Sequence, residues 1–373
     1  MASGSSGWTY GYDTLDRLTG ATGTSVTEGW TYDADGNRLA ETGTTPSTYS
    51  ISATSNEITG ITGTLTRTYG YDAAGNTLSD STDTDTYNDA GRLKTITNTS
   101  GTTTFIYSAL GQMIEASEPS GTILYVHDQA GHLVGEYDGS GNLIQETVWL
   151  GDIPVATIRP SGSTVEIYYA VTDQLDTPRE VVRPSDNAVM WSWFTGPFGV
   201  EAPNTNPQGA GTFSYDLRLP GQIAGAWGST FQNDNRDYDP AVGRFVESDP
   251  AGLNGGSYST YVYGLNNPVS NIDPSGLCDQ DDCEKQAQAD EAVCRKLKDP
   301  SVRARCWQSA NERFGACRTK KPLPPLVTWR ESAPNPTPIP KTPRLPILPI
   351  PSPAPAPVLP PIIEPEPIPI PIF

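Results

Sequence analysis

One motif recurs along the first three-quarters of this chain. An aromatic residue, usually Tyr followed by Asp, leads into a polar turn with Gly and leaves it at Leu. The copies run Tyr12-Asp13 to Leu18, Tyr32-Asp33 to Leu39, Tyr71-Asp72 to Leu78, Tyr87-Asn88 to Leu93, Tyr107 to Ile114, Val126 to Leu133 and Tyr137-Asp138 to Leu143. Each sets β-favouring residues on both sides of a turn whose Asp or Asn caps the bend and whose Gly accepts positive φ, which makes it a β-hairpin unit. Alternating runs such as 102–107 and 164–168 read as half-buried strands. An isolated hairpin is only marginally stable, so a string of them must add strand to strand in one extended sheet. The expected class is mainly β.

Charge divides the 373 residues into segments. Residues 1–277 hold 11 Lys/Arg and 32 Asp/Glu, net −21, whereas 278–321 hold 10 and 8, net +2. An acidic surface of that size repels phosphates and argues against nucleic-acid binding. No apolar run approaches the length of a spanning helix. Residues 1–7 form a disordered start with neither basic residue nor apolar stretch, so they encode no secretory signal. Gly225 to Gly228 lacks the Lys and the strand-to-helix setting of a phosphate loop. His127 and His132, the two histidines of the chain, sit in one repeat turn without further His or Cys nearby, and read as solvated turn residues rather than metal ligands. No metal or cofactor is implied.

The copies resemble the YD repeat of rearrangement-hotspot (Rhs) and teneurin-like proteins over nearly all of residues 8–277. Further motifs occur in that family's order: 148–156, 168–179, Leu219-Pro220-Gly221-Gln222, and 236–245. Val171 and Asp176 depart from the family's usual His and Gly, and the stretch 223–231 is atypical. The resemblance implies a YD-repeat array over 8–200 and a repeat-associated core domain over 201–277. The fold it implies is a β-hairpin ribbon curled into a shell around a C-terminal cargo, here a partial shell because the array is short. An unclosed end leaves a strand edge prone to association with other shell chains.

Two Asp-Pro-x-Gly sequences close this region, 249–252 and 273–276, the second followed by Leu277. On its own such a sequence is a turn, with Asp capping and Pro setting φ. In Rhs proteins and the related toxin-complex C subunits the corresponding aspartates form a self-cleaving aspartyl protease. The resemblance therefore implies Asp249 and Asp273 as the pair and Leu277-Cys278 as the scissile bond. Two carboxyls suit the chemistry, one ionised to take a proton from water and one protonated to polarise the amide. Arg244 or Arg236 is the candidate that orients them.

All five cysteines lie between 278 and 317. Residues 279–318 favour helix, and Asp299-Pro300 reads as an N-cap followed by Pro at the first helical position. Cys283 and Cys294 are eleven residues apart, as are Cys306 and Cys317. Eleven residues give about three turns and about 16 Å, so neither pair can bridge within its helix. An antiparallel α-helical hairpin over 278–321 fits nested bridges Cys283–Cys317 and Cys294–Cys306, hence an oxidising compartment. A reduced hairpin and a four-cysteine zinc site are the alternatives, the latter disfavoured by the long spacing. Cys278 is left over, as a free thiol, half of an intermolecular bridge or an ordinary side chain. Val293, Leu297, Trp307 and Phe314 would make the apolar seam. From 322 to 373 about every second or third residue is Pro, which reads as a disordered polyproline II spacer or a ligand for an aromatic-lined groove.

The expected function is a self-cleaving shell fragment related to polymorphic toxins, secreted or exposed at the cell surface or periplasm. Its own C-terminal segment is the cargo, and other shell chains or secretion machinery are partners. A structural, adhesion-like repeat protein without proteolysis is the alternative.

Overall fold

The Tyr-Asp turns share one local geometry. In the computed structural model, Asp33 Oδ1 accepts the amides of Asp35 and Asn37 at 3.0 and 2.8 Å, while the Asp33 amide donates to Asn37 O at 2.9 Å. Asp72 repeats this with Ala74 and Asn76 at 2.8 and 2.9 Å. Capping at two and four residues on forces a register shift at the mouth of the hairpin. Tyr32 faces Arg38, Tyr71 faces Thr77, Tyr87 faces Leu93 and Tyr107 faces Met113, each beside a bulge. A bulge bends its strand and increases the local twist, so a repeated bulge curls the ribbon.

The tyrosine has a second task. Tyr32, Tyr87 and Tyr107 donate their hydroxyls to the carbonyls of Leu18, Thr77 and Leu93 at 2.8, 2.9 and 2.8 Å. Each carbonyl belongs to the strand that leaves the preceding hairpin, so the aromatic ring ties one repeat to the next. Trp149 does the same with its indole N–H to Leu133 O at 3.0 Å.

The structure describes residues 7–23, 26–277, 290 and 293–318. Contacts divide the chain between 328 and 329, and every described residue belongs to the first unit. Seven strands pair in chain order from β1 (Thr9–Tyr12) to β7 (Arg67–Thr68), and thirteen from β8 (Gly70–Tyr71) to β20 (Ala188–Ser192). All pairings are antiparallel and both sheets are open at their edges, as the repeat predicts. Between the sheets the Ser81 hydroxyl accepts the Thr68 amide at 2.9 Å.

A further turn copy spans Asp173 to Thr177, where Asp173 Oδ1 accepts from Leu175 and Thr177 at 2.9 and 3.1 Å. Asp176, at the family's glycine position, takes φ +62° there, as Asp16 takes +59° in the first turn. Short polar side chains tolerate this region, so that departure leaves the turn intact.

The segment after β20 builds a small sheet, β21 (Gln222–Ile223), β22 (Phe231–Asn233), β23 (Arg236–Asp239) and β24 (Arg244–Phe245). It packs on both larger sheets. Its Tyr238 and Phe245 join a core with Phe105, Met113 and Trp191, and Phe198 packs with Leu18 and Trp30. The atypical stretch around 227 inserts Trp227, buried edge-on against Phe105 at 5.4 Å. Buried polar bonds fix the docking: Asn266 and Asn267 donate to Gly36 O and Asp16 O at 2.8 and 2.9 Å, and Tyr261 to Gly75 O at 2.7 Å. The turn tips of the first hairpins therefore hold the strand-poor region that carries the two Asp-Pro-x-Gly turns.

Near the C-terminal side, α1 (Pro300–Arg318) begins where expected. Asp299 Oδ1 accepts the Ser301 amide at 2.9 Å, which caps the helix. Cys294 and Cys306 form a disulfide, both fully buried, with Leu297, Trp307 and Ala310 packed around them. Val293 does not join this seam; it is 40% exposed. Cys278, Cys283, the side chains of Cys317 and Phe314, and the Pro-rich stretch 322–373 lie outside the described residues. Among the described residues no helix is long and apolar enough to cross a membrane.

Candidate functional site

The two Asp-Pro-x-Gly turns are built alike. In the first, Asp249 Oδ1 accepts the Ala251 amide at 2.7 Å, and the Asp249 amide is held by Thr260 O at 2.8 Å. In the second, Asp273 Oδ1 accepts the Leu277 amide at 3.2 Å. Each turn thus engages Oδ1 of its own aspartate. Both Oδ2 atoms meet one nitrogen, Arg236 Nη2, at 3.2 Å from Asp249 and 3.0 Å from Asp273.

Arg236 is fixed on every side. It lies on β23 with its guanidinium over the Phe245 ring, 3.6 Å from the centroid, a cation–π contact strengthened by burial. Its Nη1 donates to Thr260 O at 3.0 Å and its Nε to Gly276 O. Burial pulls its pKa below the usual arginine value, against the charges of Asp273, Asp249 and Glu247. Arg244 is placed elsewhere. Its guanidinium lies over Tyr261 at 4.1 Å and donates to Asn56 O at 2.8 Å, so Arg236 rather than Arg244 bridges the pair.

The second turn is clamped from outside. Asn233 donates to Asp273 O at 2.8 Å and Asn235 to Ser275 O at 3.0 Å. Gly221 of the Leu-Pro-Gly-Gln motif has φ +85°, and a Cβ there would collide with Pro274 O. Gly276 takes φ +63° with Asn233 O 2.6 Å from its would-be Cβ. Only glycine fits either place.

Beside the carboxyls is a cavity of about 10 Å³, room for roughly one water molecule. Arg236, Asp249, Gly255, Thr260 and Asp273 line it. Gly255 brings its backbone close enough that a Cβ would strike Asp249 Oδ2 and lie 3.1 Å from the carbonyl oxygen of Leu277. That carbonyl and the Asp249 carboxyl therefore both approach the Cα of Gly255. Glu247 is buried behind Arg236; its carboxylate accepts the Asp237 amide at 2.8 Å. Burial and the Asp237 charge hold its pKa well above the usual range.

The histidines are not solvated turn residues. His132 stacks on Trp149 at 4.5 Å and sits between Asp128 and Asp152 at 3.0 and 3.1 Å. Burial lowers the His127 pKa. Both line a second, larger cavity. Among the described residues no group of three or more His, Cys, Asp or Glu could hold a metal ion.

A hairpin ribbon packed against a small sheet, with paired acidic turns in the strand-poor region that follows, defines a β-shell protein of the repeat class. The chain belongs to the teneurin YD-shell family, whose model matches residues 2–257. Among curated proteins it is similar to double-stranded DNA deaminase toxin A of Burkholderia cenocepacia (strain H111), 36% identical over 133 residues, which are 35% of this chain and 9% of that protein. It is also similar to toxin protein Tse5 of Pseudomonas aeruginosa, 31% identical over 118 residues, 32% of this chain and 8% of the toxin. The uncharacterized protein YlbH of Escherichia coli (strain K12) is 35% identical over 130 residues, 35% of this chain and 49% of that protein. The chain thus spans about half or less of these relatives.

The fold matches the crystal structure of TcdB2-TccC3-TEV with TM-score 0.57 and 19% identity, covering 72% of this chain and 15% of the other. It matches a Tc holotoxin pore of Photorhabdus luminescens with TM-score 0.54 and 18% identity, at the same coverage.

Proposed function

We propose that this chain is the C-terminal part of a toxin-related shell that cuts itself once, after Leu277, and so separates the β shell from its C-terminal extension. The observation that carries this reading is the single Arg236 nitrogen shared by Asp249 and Asp273 beside the Leu277 carbonyl. One buried cation balances one buried carboxylate. Two carboxyls held this close push their proton affinities apart, so that one works ionised and the other protonated. We assign Asp249, whose Oδ2 shares the Gly255 approach with the Leu277 carbonyl oxygen, as the acid that polarises it, and Asp273 as the base. Water adds to the Leu277 carbonyl carbon as Asp273 takes its proton and Asp249 protonates the carbonyl oxygen. The tetrahedral intermediate then expels the Cys278 nitrogen, which takes the proton held by Asp273 as the new N-terminus, while Asp249 recovers a proton from the gem-diol as it collapses to the Leu277 carboxylic acid.

The toxin relatives and the Cys294–Cys306 disulfide support an oxidising destination outside the cytoplasm. The C-terminal segment is the cargo, and other shell chains or secretion components are the partners of the open strand edges.

The test is intact-mass spectrometry of the purified chain beside Asp273→Asn and Asp249→Asn. The wild type should yield a species ending at Leu277 and another starting at Cys278, with either variant uncut. A wild type that keeps its sheet by circular dichroism yet stays one species after prolonged neutral incubation rejects the proposal.

A further inference from the structure

We infer that the larger cavity is a binding site for an extended peptide segment bearing a basic side chain, independent of the cleavage chemistry. The cavity measures about 450 Å³, within the range of small-ligand pockets. Its apolar walls include Met113, Leu133, Trp149 and Ile223.

Gln222 is among the residues that line it. The residue is 1% exposed, yet neither its Nε2 nor its Oε1 has a hydrogen-bond partner among the described residues. Its backbone is already satisfied: the amide donates to Leu219 O at 2.8 Å and the carbonyl accepts from Arg218 at 3.0 Å. The side-chain carboxamide is therefore surplus to the strand pairing of β21. A buried amide left unpaired costs about 1–3 kcal/mol for each group. A group that offers one acceptor and one donor side by side removes that cost. His127, on another wall, likewise leaves Nδ1 buried without a partner.

A peptide unit and a nucleobase edge both present such a donor–acceptor pair. Charge decides between them. Asp152, Asp176 and Asp234 line the cavity, and the Arg218 guanidinium there donates through Nη1 to the carbonyls of Tyr215 and Leu217. Three carboxylates outnumber the Arg218 charge, so the lining is net acidic, which repels a phosphate and favours an ammonium or guanidinium. Apolar walls, a carboxamide clamp and an acidic rim together fit a peptide with a Lys or Arg flanked by apolar side chains.

The test titrates the full chain by calorimetry with two acetylated and amidated tetrapeptides, Leu-Lys-Leu-Ala and Leu-Glu-Leu-Ala. A photoreactive leucine in the first peptide allows the contact to be mapped by mass spectrometry. The lysyl peptide should bind about tenfold tighter than the glutamyl one and crosslink to residues 110–133 or 217–223. Gln222→Leu should weaken it about tenfold, the loss of a pair of amide hydrogen bonds, with a melting temperature unchanged or raised because the orphaned amide is gone. Asp234→Asn, tolerable at φ +51°, should shrink the preference for lysine. Equal binding of both peptides, crosslinks elsewhere, or no binding would overturn the inference. So would a Gln222→Leu protein that melts lower or fails to fold, since the amide would then be structural, or an Asp234→Asn protein with an undiminished preference for lysine.

Discussion

Asp249 and Asp273 each give Oδ1 to the backbone of their own turn and Oδ2 to the same nitrogen of Arg236. Two turns separated in sequence thus converge on a point that neither could define alone. Lysine offers a point charge without the planar fork that meets Thr260 O and both carboxylates at once. Arg236→Lys should therefore slow self-cleavage by about ten- to hundredfold, the loss of one or two charge-assisted hydrogen bonds. Arg244→Lys, whose guanidinium lies over Tyr261 instead, should leave the rate within a factor of about three. Both rates can be followed on a denaturing gel, and equal slowing of the two variants would remove Arg236 from its special position.

How much of this was readable from residues alone differs from place to place. The hairpins were legible because one capping Asp and one turn specify each of them locally. The two acidic turns were legible as turns, and their pairing came from the family resemblance. The residues alone put Arg244 ahead of Arg236, and the structure reverses that order, although strand parity held the signal. Arg236 lies on the same face of its strand as Tyr238, which pairs with Phe245, whereas Arg244 must point away from Phe245. The environment of the histidines was invisible because its walls come from segments as distant as Gln112, Trp149, Gln222 and Ile272. Sequence spacing carries no information about such a meeting.

Gly255 should be as informative as the acids. It has no φ that excludes other residues, but a Cβ would occupy the space between Asp249 Oδ2 and Leu277 O. Gly255→Ala is expected to fold with a melting temperature near that of the wild type and to lose cleavage by at least about tenfold, through displacement of the acid from the carbonyl. Unchanged cleavage kinetics would place the reacting carbonyl elsewhere.

Gly221 and Gly141 separate two costs of replacing a turn glycine. Both have positive φ, +85° and +82°, but only Gly221 has backbone where a Cβ would go; nothing lies within 4 Å at Gly141. Gly141→Ala should cost about 1 kcal/mol for conformation alone, and Gly221→Ala about 3 kcal/mol or more because Pro274 must move. Thermal unfolding of the two variants gives the comparison, and cleavage should fall only in the second, whose displaced turn carries Asp273.

Stability should decline as pH rises. Burial pushes the pKa of Asp85 up to about 8 and that of Glu28 up to about 7, and holds Glu247 well above the usual range. The folded chain therefore keeps protons that the unfolded chain has released. Such groups contribute fully below their unfolded pKa and lose that contribution as pH climbs through the folded one. His127 works the other way, since its lowered pKa costs stability only as pH drops below its ordinary 6.5. The melting temperature should thus fall between about pH 6.5 and pH 8.5, with about 2–4 °C for each kcal/mol in a domain of this size. Asp85→Asn should flatten the slope, and a flat wild-type profile would contradict it.

The Cys294–Cys306 bridge closes a short loop across the start of α1. A cross-link over 12 residues should contribute about 3 kcal/mol, chiefly by restricting the unfolded segment. Among the described residues the apolar neighbours packed on the bridge, Leu297, Trp307 and Ala310, lie outside the hairpin sheets. Reduction should therefore raise amide exchange within 293–318 while the strands from β8 to β20 keep their protection. The Asp290–Arg313 ion pair at 2.7 Å and the Asp299 cap should slow fraying of the reduced helix without holding it fully. If reduction exposed the sheets as well, the helical segment would be part of their cooperative unit and the bridge would stabilise the whole shell.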